Sequence, residues 1–86
     1  MPLPHIRLLG RPYCGLCDEM KLMAIYLAEQ GLCSWESVDI DRDPALKARY
    51  NLDVPVLLID GRERAKHHIE LAELRSLLQA AAQGDT

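Results

Sequence analysis

No apolar run in this 86-residue chain approaches the roughly 20 residues that a membrane-spanning helix requires, so no membrane partner is expected. An excess of positive charge is also missing. Ten Lys and Arg against 13 Asp and Glu leave a net charge of -3, and the basic footprint of a nucleic-acid binder is absent. The start, Met1-Pro2-Leu3-Pro4-His5, offers neither an apolar leader core nor a cleavage site, so no secretory signal is expected. Cysteine is scarce and odd in number, three residues, a poor match to the paired framework of a secreted disulfide-rich domain. A reducing cytoplasm is therefore the expected location, and there a close cysteine pair is more often catalytic or metal-binding than structural. Repeats, linkers and low-complexity tracts are missing too. What is present is globular: 49% hydrophobic and 27% charged residues exclude a disordered chain and suit one small domain, 1–86, with a modest core.

The pattern along the chain predicts alternating strands and helices. His5 to Leu9 reads as a short buried strand, broken by Gly10-Arg11-Pro12, where proline lacks an N–H and drives Arg11 to an extended conformation. A helix is expected from about Gly15 to Gln30, burying Leu16, Met20, Met23, Ala24, Leu27 and Ala28 at three- and four-residue spacings, with Gly31 as its cap. Cys33 to Ile40 is the second strand. Asp43-Pro44 then starts a short helix, Ala45 to Tyr50, aspartate as cap and proline in the first turn. Val54 to Ile59 has the continuous apolar content of a central strand. Asp60-Gly61 is a hairpin turn, and Arg62 to Lys66 returns as a charged edge strand. A last helix spans about Ile69 to Ala82, with residues 83–86 as a frayed tail. The order β-α-β-α-β-β-α makes the first crossover parallel and right-handed, and the hairpin antiparallel. The fold class is α/β, a four-stranded mixed sheet with helices on both faces.

Cys14-Gly15-Leu16-Cys17 carries the chemistry. Two thiols one helical turn apart, between a strand and a helix, read as a redox dithiol. The first stands at a helix N-terminus, where unpaired N–H groups and the dipole favour the attacking thiolate; the second is close enough to resolve a mixed disulfide. A zinc site needs four ligands. Cys33, about sixteen residues up the helix or ~24 Å away, cannot join the pair and reads as a small buried hydrophobe. Asp39, Asp41 and Asp43 read as a strand end and helix cap rather than a metal site. His67 and His68, before the last helix, are either proton-transfer helpers or surface residues, and Tyr13 reads as a surface contact for a partner. From the residues alone, Pro55 either simply begins a strand or forms a cis bond.

Together, Arg11-Pro12-Tyr13-Cys14-Gly15-Leu16-Cys17, Val38-Asp39-Ile40-Asp41, Asp43-Pro44, Val54-Pro55 and Asp60-Gly61 resemble the thioredoxin superfamily, and short bacterial glutaredoxin-like proteins most closely, from about His5 to Leu78. The resemblance implies a thioredoxin-like fold in which Pro55 is a cis-proline facing the dithiol and Val54 offers its backbone to an extended substrate. It also implies that Arg11 meets a glutathione carboxylate. Departures are visible. The Gly-Gly pair of glutathione-binding members is replaced by Lys66-His67-His68-Ile69-Glu70, and the buried aspartate of thioredoxins has no counterpart beside Leu8 and Leu9.

The expected function is a thiol–disulfide oxidoreductase in which Cys14 is the nucleophile and Cys17 the resolving thiol. Arg11, Tyr13, Val54 and Pro55 form the substrate or glutathione site. The expected partner is a disulfide-containing protein or glutathione. No tightly bound cofactor or metal is expected, glutathione is the candidate electron donor, and the chain is expected to be a monomer. The alternative is a non-catalytic binding or assembly module, with Cys14 and glutathione ligating an iron–sulfur cluster.

Overall fold

The computed structural model describes residues 2–84. Its elements are β1 (His5–Gly10), α1 (Gly15–Glu29), β2 (Ser34–Asp39), a 3₁₀ turn (Ile40–Arg42), α2 (Pro44–Tyr50), β3 (Val56–Ile59), β4 (Arg62–Lys66) and α3 (Leu71–Ala82). The sheet order is β2-β1-β3-β4. β1 pairs parallel with β2 and antiparallel with β3, and β3 pairs antiparallel with β4. The expected mixed sheet is therefore present, with β1 and β3 inside and the charged β4 at an edge.

Strand alternation divides the core between two faces. Ile6 and Leu8 of β1, with Leu57 and Ile59 of β3, pack against Met20, Ala24 and Leu27 of α1 and Leu74 and Leu78 of α3. Leu9 and Val56 point the other way and pack with Ile40 and Tyr50 beneath α2. Helices thus cover both faces. Asp43 begins α2 as the composition predicts: its carboxylate accepts the N–H groups of Ala45 at 3.0 Å and Leu46 at 3.2 Å, and Pro44 occupies the first turn. Asp60 and Gly61 both have positive φ, 50° and 84°, the geometry a two-residue hairpin requires.

Several boundaries differ from the sequence pattern. Leu16, expected on the buried face of α1, is 45% exposed, because the first turn of the helix projects past the sheet. The second strand ends at Asp39 and passes into the 3₁₀ turn when Asp39 accepts the N–H of Asp41 at 2.9 Å. The third strand starts at Val56 rather than Val54. The last helix starts at Leu71 rather than Ile69, since His67 takes φ +67° and Glu70 is still extended; Ile69 is nonetheless buried ahead of the helix. Gln83 and Gly84, where fraying is expected, are hydrogen-bonded back to Gln79, Ala80 and Ala81, while Asp85 and Thr86 lie outside the described residues. No helix among the described residues is long and apolar enough to cross a membrane.

Candidate active site

Cys14 is the residue on which α1 begins. Its backbone is extended, φ -120° and ψ 107°, and its Sγ accepts the N–H of Cys17 at 3.1 Å. The sulfur does what a serine or aspartate oxygen does at a helix start. The N–H donor and the positive end of the helix dipole both favour a sulfur anion at Cys14. Cys17, three residues on, is disulfide-bonded to it with the Cα atoms 5.2 Å apart. The helix therefore places the two half-buried thiols within bonding reach, Cys14 at its N-terminal cap and Cys17 in its first turn.

Gly10 permits that placement, a role the sequence pattern does not disclose. A Cβ at Gly10 would lie 3.1 Å from Cys17 Sγ and 3.3 Å from Cys17 Cβ, so a side chain at the end of β1 would press on the second thiol. The only trace in the sequence is a glycine four residues before the dithiol, which reads as a strand breaker. Beside it, a cavity of about 230 Å³ is lined by Cys17, Asp18, Lys21, Asp39 and Pro55 among others.

The other expected site residues divide into two groups. Tyr13 stands directly before Cys14 at φ +60°, with its ring fully exposed. The Val54–Pro55 bond is cis, and Pro55 is buried, sharing the cavity with Cys17. Its carbonyl accepts the N–H of His67 at 2.7 Å, which ties the segment ahead of α3 to the proline, while Val54 lies outside the strand ladder. Arg11 also lines the cavity, while its guanidinium is bound to the far end of α2 and the 3₁₀ turn. Its guanidinium donates to the Asn51 carbonyl at 3.1 Å, to Asn51 Oδ1 at 2.7 Å and to Asp41 at 3.1 Å. The arginine clasps the loop before Cys14 to the end of α2.

The remaining polar groups have local roles. His68 Nε2 lies 3.0 Å from Glu70 Oε1. That hydrogen bond, then the negative charges of Glu70, Glu19 and Glu73, hold its pKa above 6.5 against a desolvation effect that lowers it. Lys66 pairs with Asp53 at 3.4 Å across the approach to the proline. Cys33 is buried near the Ala24 carbonyl, and burial pushes its thiol pKa up. Among the described residues no three His, Cys, Asp or Glu side chains converge as metal ligands.

A family model described as glutaredoxin-like domain (DUF836) matches residues 5–79. The chain is 37% identical to target protein XcR50 from X. campestris, with 87% of this chain and 96% of that one covered and a TM-score of 0.71. An uncharacterized protein of Mycobacterium tuberculosis, Rv0508, is 27% identical over 81 residues, 88% of this chain and 84% of that protein. Protein Ne2328 from Nitrosomonas europaea is 24% identical, covering 90% and 93% of the two chains, with a TM-score of 0.75. A mutant thioredoxin from Halobacterium salinarum is 23% identical over 92% of this chain and 74% of that one, with a TM-score of 0.70. The last two likenesses concern the fold, which is thioredoxin-like.

Proposed function

The chain belongs to the glutaredoxin-like domain family, and from that premise we propose that it is a thiol–disulfide oxidoreductase working through Cys14 and Cys17. The Cys14 thiolate attacks one sulfur of a partner disulfide, forming a mixed disulfide and expelling the partner's other sulfur as a thiolate. Cys17, as thiolate, then attacks Cys14 Sγ. The Cys14–Cys17 bond forms, the mixed disulfide breaks, and two electrons have passed to the partner. An external thiol, with glutathione as the candidate donor, reverses the sequence and restores the dithiol. No resident cofactor is needed for either half.

The observation that carries this reading is the Cys14 sulfur at the start of α1, accepting the Cys17 N–H at 3.1 Å and bonded to the Cys17 sulfur. In the proposal a substrate lies against Tyr13, whose ring is fully exposed, and the Val54–Pro55 segment. There the main chain of Val54 would pair with an extended partner in the manner of an added strand. A cytoplasmic setting, where an external thiol is at hand, is part of the proposal.

The test is reduction of a protein disulfide by the parent, Cys14→Ser and Cys17→Ser. The proposal expects no turnover with Cys14→Ser and a trapped, isolable mixed disulfide on Cys14 with Cys17→Ser. Retained turnover with Cys14→Ser would show that the dithiol is not the reacting group.

A further inference from the structure

β1 and β3 pair from Ile6–Ile59 to Leu9–Val56, and past that last pair both chains leave the ladder. One continues through Arg11 and Pro12 to Tyr13 and Cys14; the other arrives from the end of α2 through Asn51 and Asp53 to Val54 and Pro55. A partner that pairs with the Val54 main chain while its sulfur bonds to Cys14 has to meet both segments at once. Their separation therefore decides how well it fits, and small misplacements are costly in rate.

Among the described residues, the hydrogen bonds that join these two segments are those of Arg11 to Asn51. Nη1 donates to the Asn51 carbonyl at 3.1 Å and Nη2 to Asn51 Oδ1 at 2.7 Å, with Asp41 sharing Nη2 at 3.1 Å. Arg11 Nε is buried without an acceptor, so the two outer nitrogens carry the whole attachment. Asn51 supplies two of the three acceptors from one residue. The Asp53 N–H donates to the Tyr50 carbonyl at 2.9 Å, which fixes the turn around Asn51. On the opposite flank, the Lys66–Asp53 ion pair at 3.4 Å and the His67 N–H to the Pro55 carbonyl at 2.7 Å tie the proline segment to β4 and the chain after it. Neither reaches the loop that carries Cys14.

Resting on the oxidoreductase reading, we infer that Asn51 is a positioning residue for it: through Arg11 it holds the Val54–Pro55 segment at the distance from Cys14 that an extended partner requires. Asn51 takes no part in the thiol chemistry. It acts on the fit of a partner that uses both segments, whereas a disulfide without a main chain to pair with Val54 needs Cys14 alone.

That difference supplies the test. The parent, Asn51→Ala, Asn51→Asp, Arg11→Ala and the double alanine variant are compared on a protein disulfide, and the parent and Asn51→Ala also on dithiobis-nitrobenzoate. Asn51→Ala is expected to raise KM for the protein disulfide on the order of tenfold with kcat little changed, the size of one hydrogen bond to a charged group. Asn51→Asp, which keeps an acceptor for Arg11, is expected to recover the parent KM. The double variant should be no worse than Arg11→Ala, because both changes break one contact. The first coloured thiolate released from dithiobis-nitrobenzoate by reduced Asn51→Ala should appear at the parent's rate within about twofold, since nucleophilic attack by Cys14 is untouched. The assignment is overturned if Asn51→Ala keeps the parent KM, if Asn51→Asp is no better than Asn51→Ala, if the two alanine effects simply add, or if that first release slows as much as turnover of the protein disulfide. A parent that reduces no protein disulfide overturns the oxidoreductase reading itself, and Asn51's role with it.

Discussion

Tyr13 holds a left-handed backbone, φ +60°, which disfavours an L side chain by roughly 1–2 kcal/mol. Its ring recovers none of this by packing, because it is fully exposed. Strained residues of this kind gather at functional sites, and this one stands beside the nucleophile. Tyr13→Gly is therefore expected to stabilise the domain by up to about 1 kcal/mol after glycine's own entropy loss, measured by urea unfolding, while lowering kcat/KM for a protein disulfide several-fold. Gly10 makes the opposite case. With Cys17 Sγ 3.1 Å from its Cβ position, Gly10→Val is expected to destabilise by about 2 kcal/mol, a typical overpacking effect, read by the same unfolding measurement. At this scale the sequence discloses the dithiol, because residue type and spacing carry that chemistry. It does not disclose Tyr13's φ or Gly10's close approach, since both are set by how the loop and helix meet the sheet.

Elements were legible where a local group fixes them. Asp43-Pro44 starts α2 through two side-chain hydrogen bonds, and Asp60-Gly61 turns the hairpin through two positive φ angles; both signals lie in adjacent residues. Asp43→Ala is accordingly expected to destabilise by about 1 kcal/mol, the usual loss of an N-cap, with Asp43→Asn close to the parent in urea midpoint. Ends fixed from a distance were not legible. β3 begins at Val56, just past the proline whose carbonyl accepts the His67 N–H. α3 begins at Leu71, past His67 in positive φ and an extended Glu70. The partners that place Arg11 were not legible either: Asn51 and Asp41, forty and thirty residues away in sequence, accept its hydrogen bonds.

Over the whole molecule, charge links folding to pH at the edge of the site. The raised pKa of His68 comes first from its hydrogen bond to Glu70 and then from nearby negative charge. A histidine whose folded pKa exceeds its unfolded value contributes stability that is fully present below the unfolded pKa and lost as pH rises through the folded one. The urea midpoint of His68→Gln should thus fall below the parent's at about pH 5.5, and the two should converge as pH rises through the folded pKa. The central claim concerns the dithiol itself, and a redox titration in glutathione buffers, read by intact mass after alkylation, tests it most directly. Buried Cys33 should stay unlabelled in the folded protein, so that only Cys14 and Cys17 are counted. The account predicts that these two oxidise together, with a midpoint between about -180 and -270 mV, the range of exchange catalysts. A pair that never closes, or closes only well below about -300 mV, would contradict it and make the bond a structural one.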